Sequence, residues 1–553
     1  MTSAAEAMLR ILREERVSTV FGNPGTTELP FTEALARDGG FEYVLGVQEG
    51  SVVAMADGYA RATGRPAFVS LHAAGGLANG LVGLLNARRS RTPLVVTAGQ
   101  QDRRHLIQDP MLCGDLPGLA GPAVKEVFDV HRAQDLPLLL RRAFAAAVRP
   151  PAGPVFLSVP MDLLAEDTPV ELPRRSTLLP AGPAPVDAAA RLLSAAKAPA
   201  VVAGDGVGRE GAVAELVAVA ELLGASVFHQ PMHDGVDFPG SHPLYAGGLV
   251  PVHAAIRAAL DGHDVVFIVG CHAFTPHHYT PGPALPSEAR VVQLDSDPAE
   301  PGRNLGVDVG LCGSIRPTLA ALAAALAESP GLADQAAERT VRAHAVHTAR
   351  RAEHERSALN GYGDAPLDPA AAAHAIAANL PPDAVVVEEA ITSGVQLRRF
   401  LRLDRPRSLV HTVGGGLGSG IGMAVGTRLG DPSRPVLAVL GDGCTLFGLQ
   451  GLWSAARYRV PVTILVMNNG EYRTLKETLD SWTSRQTGDG AYVGLDLGSP
   501  RLDFAALAEF FGLRHARVED TGQLADLVAK SAAADGPLLV DVPITSHSDS
   551  QRI

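Results

Sequence analysis

The chain has 553 residues, 46% of them hydrophobic and 19% charged, with a net charge of −12. Length alone allows about three or four domains, and the apolar content is ample for buried cores, which excludes disorder over most of the chain. The acidic balance leaves no basic field for a nucleic-acid backbone or an anionic membrane surface.

The first segment, Met1 to Val20, is an amphipathic acidic and basic mix without the apolar centre of a signal peptide. No apolar run along the chain is long enough to cross a bilayer. The four cysteines form no Cys-x-x-Cys pair, so neither a zinc knuckle nor a redox pair is indicated. A cytoplasmic protein is expected. Only four of the 47 cationic residues are lysines (Lys125, Lys197, Lys476 and Lys530), and no Gly-Lys dipeptide occurs, so a Walker-type phosphate loop is absent.

Beyond this segment, short apolar runs alternate with alanine-rich stretches of helical period. A strand over Tyr43–Val47 precedes Glu49 and a helix over Ser51–Thr63. Strand Ala67–Leu71, helix Leu77–Ala87 and strand Pro93–Ala98 follow. Pro169–Val186 carries seven prolines or arginines and no periodicity, as a linker would. Strand Ala200–Ala203 runs into Gly206, Gly208 and Gly211, a Gly-x-Gly-x-x-Gly spacing. That spacing raises a nicotinamide or flavin oxidoreductase as a rival, but the next strand, Ala225–His229, lacks the terminal acid that would bind a ribose.

Val265–Val269 and Arg290–Leu294 continue the strand series, and Glu328–Pro366 reads as a charged helix with an exposed connector. Val385–Val387, Val436–Leu440, Val462–Met467 and Leu538–Val542 complete it. Near-continuous Val/Ile/Leu strands between helices specify an α/β protein with parallel sheets covered on both faces. Three open, doubly wound domains are expected, at about 1–180, 185–335 and 360–553.

The most informative stretch is Val436 to Tyr472. One strand ends at Gly441-Asp442-Gly443, a helix is expected over Leu446–Tyr458, and the next strand ends at Asn468-Asn469-Gly470. A right-handed β-α-β unit brings the carboxyl ends of both strands to one edge, so Asp442 and Asn469 should meet. An Asp carboxylate and an Asn amide oxygen are hard ligands suited to Mg²⁺ or Ca²⁺, with phosphate oxygens completing the shell. Gly443 permits close backbone approach, and the helix that follows directs amide donors at an anion.

Gly-Asp-Gly followed some two dozen residues later by Asn-Asn resembles the motif of thiamine diphosphate enzymes. FGNPGTTELPF at Phe21–Phe31, PAFVSLHAAGGLANG from Pro66, TPLVVTAGQQ to Gln101 and HHYTPG at His277–Gly282 resemble the 2-oxo acid decarboxylases of that class, most of all the benzoylformate decarboxylases. The resemblance covers nearly the whole chain. It implies three domains, one binding the pyrimidine, one in the middle and one binding the diphosphate. It makes Asp442, Asn469 and the main-chain oxygen of Glu471 ligands of Mg²⁺ or Ca²⁺. Gly443 and Cys444 would lie against the diphosphate, with Tyr472 nearby and Thr392 and Ser393 as further contacts. Leu417, just past Gly415, would hold thiamine diphosphate bent. Glu49 would activate the cofactor, His72 and His277 would relay protons with His278 only a neighbour, and Thr26 would hydrogen-bond the substrate carboxylate or the adduct oxygen.

Departures from the resemblance gather at the substrate pocket, where His411, Leu475 and Thr478 stand and where Glu471–Gln486 is unusually charged. A pocket so lined favours a polar 2-oxo acid over an aryl one, because buried polar groups need partners. The expected reaction is non-oxidative decarboxylation of a 2-oxo acid to an aldehyde. The alternatives are a carboligase of acetolactate-synthase type or a 2-hydroxyacyl lyase using the same cofactor. A homodimer or homotetramer is implied. A degenerate, non-enzymatic paralogue would not need Glu49, Asp442 and Asn469 together.

Overall fold

Three stretches of the chain each fold into a six-stranded, all-parallel sheet with helices on both faces, in a computed structural model that describes residues 2–168, 171–483 and 492–546. In the first sheet the strands are β1 (Thr19–Gly22), β2 (Glu42–Leu45), β3 (Ala67–Leu71), β4 (Leu94–Gln100), β5 (Glu126–Asp129) and β6 (Val155–Pro160), in spatial order β2-β1-β3-β4-β6-β5. The second contains β7 (Pro199–Ala203), β8 (Ser226–His229), β9 (Tyr245–Gly248), β10 (Val265–Val269), β11 (Arg290–Asp295) and β12 (Val309–Cys312), ordered β9-β8-β7-β10-β11-β12. The third contains β13 (Val385–Glu389), β14 (Leu409–His411), β15 (Val436–Gly441), β16 (Val462–Asn468), β17 (Arg514–Arg517) and β18 (Leu538–Pro543), ordered β14-β13-β15-β16-β18-β17.

Each order has a central reversal, between β1 and β3, between β7 and β10, and between β13 and β15, and the first and third sheets turn back again at the far edge, where β6 lies inside β5 and β18 inside β17. At the central reversal the connections leave in opposite directions and open a crevice beyond the carboxyl ends of the strands, where ligands of open α/β sheets bind. The expected strands coincide with these elements to within a few residues. They are buried along nearly their whole length, which is why they read as continuous apolar runs.

Two segments differ from expectation in detail. The single helix expected over Leu446–Tyr458 is two, Asp442–Phe447 and Gln450–Arg457. They are separated at Gly448, which packs so tightly on Gly418 that an added Cβ would lie 2.3 Å from the Gly418 oxygen. The charged stretch after Glu328 becomes one 29-residue helix, Leu332–Asn360. Its arginines tie it to the second sheet: Arg339 donates to the Leu223 carbonyl and Arg351 to that of Tyr245. No helix among the described residues is long and apolar enough to cross a membrane.

The first and third sheets share one hydrophobic core, whereas the second has its own. The shared core is joined by two helices, Glu49–Thr63 and Gly420–Gly430, that lie almost backbone to backbone. A Cβ on Gly426 would sit 1.8 Å from the Met55 oxygen, and one on Gly58 would sit 2.2 Å from the Met423 oxygen. Neither obstacle is a side chain that could rotate away. Gly426→Ala should therefore force the helices apart and destabilise the protein by about 3 kcal/mol, the upper end for overpacking. Denaturant unfolding checks this, with an exposed substitution, Gly211→Asn at a left-handed turn, as the near-neutral comparison.

Candidate active site

The crevice of the third sheet assembles one half of the site. Because β15 and β16 pair in parallel with Gly441 opposite Met467, the loops that follow them are adjacent. Asp442 accepts the Gly443 amide on Oδ1 and the Gly470 amide on Oδ2, both at 2.7 Å. Asn469 Oδ1 accepts the Glu471 amide at 3.1 Å, which turns the chain at Tyr472. Asp442 is only 4% exposed, and among the described residues no cationic side chain pairs with it. Burial pushes its carboxyl above the ordinary value, and the amides of Gly443, Gly470 and Asn469 pull it back. A buried carboxylate without a countercharge, beside an amide oxygen and free to bind through oxygen, fits a hard divalent cation. Gly443 supports that fit, since a Cβ there would meet the Tyr472 ring at 2.6 Å and close the cradle.

Neighbouring strand ends add the other expected contacts. Thr392 and Ser393 lie in the first turn of the helix Ile391–Phe400, directly after β13. Gly415, at φ 77°, and Leu417 lie on the loop after β14. Cys444 is buried within the Asp442–Phe447 helix, and burial pushes its thiol far up, so it stays protonated. A strip that motif reading did not anticipate covers Tyr472: its amide donates to the Leu495 carbonyl at 3.0 Å, and the Leu497 amide donates to the Gly470 carbonyl at 2.7 Å. Residues 484–491, between the helix Arg473–Thr483 and Leu495, lie outside the described residues.

The crevice of the first sheet assembles the other half. Glu49 opens its helix as the first residue rather than preceding it. It is 7% exposed, and each carboxylate oxygen accepts one amide, Oε1 from Asn23 and Oε2 from Asn79, both at 3.0 Å. His72 ends β3 opposite the loop after β1. Its Nδ1 is 2.9 Å from Glu28 Oε2 and 3.0 Å from Thr27 Oγ1. Glu28 is nearly fully buried and also accepts the amides of Gly25 and Gly99 and the Thr27 hydroxyl. A carboxylate so placed holds the proton on Nδ1 and leaves Nε2 as the working nitrogen.

Thr26, the expected substrate ligand, is exposed, and the hydroxyl that meets His72 is Thr27's. Asn23, Thr27, Glu28 and Asn79 were not singled out by their own patterns. Their signal was only that they flank Thr26 and follow His72. Among the described residues no hydrogen bond or ion pair joins the Glu49 cluster to the Asp442 loops.

The remaining expected residues divide. His277 and His278 both lie exposed on a loop after β10, ring to ring at 4.2 Å. His278, expected to be only a neighbour, is the one that reaches Thr478 Oγ1, at 3.4 Å. Partial desolvation, though the ring is exposed to solvent, and then the neighbouring His278 lower the basicity of His277. Leu475 is half-exposed on the same helix as Thr478. His411, expected in the pocket wall, is 2% exposed and held instead in an ionic knot. Its Nδ1 is 3.0 Å from Glu388 Oε2, and Glu388 also pairs with Arg398. Burial would raise the Glu388 carboxyl, but Arg398 and His411 outweigh it and hold it at about 2.

Beside this knot, Glu389 caps the backbone directly after Leu417, accepting the Ser419 and Gly420 amides at 3.1 and 3.0 Å. Burial pushes its carboxyl up to about 7, against the pull of those amides. Between the ordinary carboxyl value and about 7 the folded chain keeps a proton that the unfolded chain has released. That contribution to stability is complete at acid pH and is lost as pH rises through about 7. Glu389→Gln abolishes the titration. The wild-type stability measured against this variant should fall by about 3 kcal/mol from about pH 4.5 to about pH 7.5, read from urea unfolding without added cofactor.

The glycine spacing of the second sheet has a packing role. The Gly206 amide donates to the Gly270 carbonyl at 2.9 Å, and the Gly208 amide donates to Asp237 Oδ1 at 3.1 Å. A Cβ on Gly206 would lie 2.8 Å from Gly270 Cα. The amides that would cradle a diphosphate are thus used inside the protein.

Residues 2–112 match the thiamine pyrophosphate enzyme N-terminal TPP binding domain, 186–322 the central domain and 392–542 the C-terminal TPP binding domain. The chain is 35% identical to benzoylformate decarboxylase of Pseudomonas aeruginosa, over 98% of this chain and 99% of that protein. It is 29% identical to acetolactate synthase of Mycobacterium bovis, over 98% of this chain and 87% of that one. In three dimensions it resembles the thiamine diphosphate-dependent 4-hydroxybenzoylformate decarboxylase of Rhodococcus jostii RHA1, with a TM-score of 0.87 at 32% identity over 99% of this chain and all of that one. With a family match in all three domains and two carboxylate-bearing crevices of the kind described, the chain belongs to the thiamine pyrophosphate enzyme family.

Proposed function

We propose that the chain catalyses thiamine diphosphate-dependent, non-oxidative decarboxylation of a 2-oxo acid to an aldehyde. The observation that carries this reading is the pairing of His72 with Glu28, which presents one fixed imidazole nitrogen at the same crevice as the buried Glu49. Decarboxylation to an aldehyde requires an acid to deliver a proton where the carboxylate left, and imidazole titrates in the right range. The similarity to benzoylformate decarboxylase, a protein named for this reaction, supports it.

Bound thiamine diphosphate supplies the electron sink that no side chain provides. Asp442, Asn469 and the Glu471 main-chain oxygen would hold Mg²⁺ or Ca²⁺, and Gly443, Cys444, Thr392 and Ser393 would hold the diphosphate. Gly415 and Leu417 shape the cofactor's seat. Glu49 exchanges a proton at the pyrimidine end, with Asn23 and Asn79 fixing both of its oxygens. His72 and His277 hold and move protons at the substrate's reacting carbon and oxygen. Thr26, Leu475 and Thr478 line the substrate's path. A dimer or a tetramer, in which a second copy completes each site, is part of the same proposal.

A screen of 2-oxo acids for carbon dioxide release, with thiamine diphosphate and Mg²⁺ present, tests the reading. Aryl, branched aliphatic and dicarboxylic members belong in it, and release from at least one with an aldehyde as product is expected. The similarity to acetolactate synthase favours a second reading, in which the same carbon is joined to another carbonyl. Product analysis with an acceptor aldehyde separates the two: a 2-hydroxy ketone in place of free aldehyde would establish ligation.

A further inference from the structure

The loop that carries His277 and His278 leaves β10 at Gly270 and enters β11 at Arg290. Its two shoulders are tied within the second domain. On one side the Ala273 carbonyl accepts Asn304 Nδ2 at 2.8 Å, and His272 Nδ1 lies 2.8 Å from Glu300 Oε1. On the other, Thr280 Oγ1 accepts the His253 amide at 2.9 Å. Between the shoulders, residues 275–279 make one hydrogen bond within the second domain among the described residues, from Thr275 Oγ1 to the His272 carbonyl at 3.3 Å. Among the described residues His277 makes no hydrogen bond of its own, and its ring rests on that of His278 at 4.2 Å. Its place is therefore set by the chain on either side of it.

Two contacts reach this tip, and each comes from a different cofactor domain. Arg89, in the last turn of the helix Ala73–Arg89, donates from Nη2 to Thr275 Oγ1 at 2.9 Å. An arginine in a last helical turn complements the macrodipole wherever its head points. The neighbouring Arg88 turns back to the Pro122 carbonyl within the first domain, whereas Arg89 crosses to the second. Arg91 crosses beside it and reaches Glu300 Oε1 at 3.0 Å, and Glu300 is the partner of His272. One helix end thus grips the loop at its shoulder and at its tip. From the third domain, Thr478 Oγ1 lies 3.4 Å from His278 Nε2. The Thr478 hydroxyl already donates to the Thr474 carbonyl at 2.7 Å, so Nε2–H of His278 is the donor. A bond of that length is weak by itself. The His278 ring also stands edge-on to Trp482, one turn further along the same helix, with centroids 5.8 Å apart.

We propose that Arg89 and His278 are positioning residues, which pin the loop of His277 between the first and third domains and so set where its imidazole delivers a proton. The inference rests on the decarboxylase reading, in which His277 moves protons at the substrate. An acid must lie within hydrogen-bond reach of the atom it protonates, and a displacement of about 1 Å costs up to about 100-fold in rate. A five-residue tip without its own ties does not hold that tolerance, and the two contacts supply it.

Turnover and limited proteolysis of the full chain, with thiamine diphosphate and Mg²⁺ present, test it. Arg89→Met keeps the aliphatic stem and removes the donors, and Arg89→Lys keeps a donor. His278→Leu removes the ring donor, and His278→Gln places one near the position of Nε2. Arg89→Met and His278→Leu should each lower kcat for carbon dioxide release about tenfold, with KM changed by less than about twofold, and lysine or glutamine should restore most of the loss. Chymotryptic cleavage after Tyr279, which is 91% exposed at the tip, should quicken about fivefold in Arg89→Met and stay near the wild-type rate in Arg89→Lys. In a His277→Ala background, Arg89→Met should cost less than about twofold in kcat, because no imidazole remains to be misplaced. Unchanged cleavage in Arg89→Met, or an undiminished penalty in the His277→Ala background, would overturn the positioning role. Full turnover in His277→Ala would instead overturn the reading on which it rests, and the cleavage rates, which do not depend on turnover, tell the two failures apart.

Discussion

Glu49→Gln is expected to lower turnover by at least about two orders of magnitude, the scale of an acid–base group. The substitution keeps the shape of the side chain and removes only its ability to exchange a proton. Asn23 and Asn79 each donate to a separate oxygen of Glu49, so the amide forfeits one of those two bonds while the helix it opens is held by its own core residues. The loss should therefore appear in kcat for carbon dioxide release, with a melting temperature close to that of the wild type. Near-normal activity would remove Glu49 from the reaction and, with it, the proposed chemistry.

The second large effect is on cofactor capture. Asp442→Ala should weaken Mg²⁺-dependent binding of thiamine diphosphate by at least about 100-fold, because a direct ligand should count for more than the groups that merely orient one. The same change orphans the Gly443 and Gly470 amides, which Asp442 now satisfies. Calorimetry with and without Mg²⁺ reads it. Unchanged affinity, or a loss of equal size in the absence of metal, would contradict the role as a metal ligand.

Much of this site is legible in the sequence because of how parallel sheets work. Strands buried on both faces read as apolar runs, so β3, β10 and β15 could be delimited almost to the residue. Once they are known, the right-handed crossover places the residues after β15 and β16 side by side, so that Asp442 and Asn469 become neighbours on the strength of sequence alone. What was not legible is which of two adjacent side chains turns inward. Thr27 rather than Thr26 meets His72, and His278 rather than His277 meets Thr478. Both pairs lie outside the regular strands, where no period of two assigns faces.

His411 illustrates the other limit. Its place at the end of β14, four residues before Gly415, follows from the sequence, but its orientation depends on Glu388 and Arg398, 23 and 13 residues away in the chain. A buried carboxylate with one strong guanidinium partner recruits a second donor, and that competition is settled only when the strands are laid side by side.

The chain's acidic balance leaves no basic field for nucleic acid, its apolar runs are too short for a membrane span, its few lysines leave little room for lysine chemistry, and its motifs identified the class of cofactor. Those properties survive in one dimension because they depend on residue type and on spacing along single β-α-β units. Tertiary structure alone decided that Glu28 orients His72, that Glu389 braces the loop at Leu417, and that glycines let two helices join the first and third sheets. Each is a contact between residues far apart in sequence, whose strength comes from burial, and burial is a property of the assembled fold.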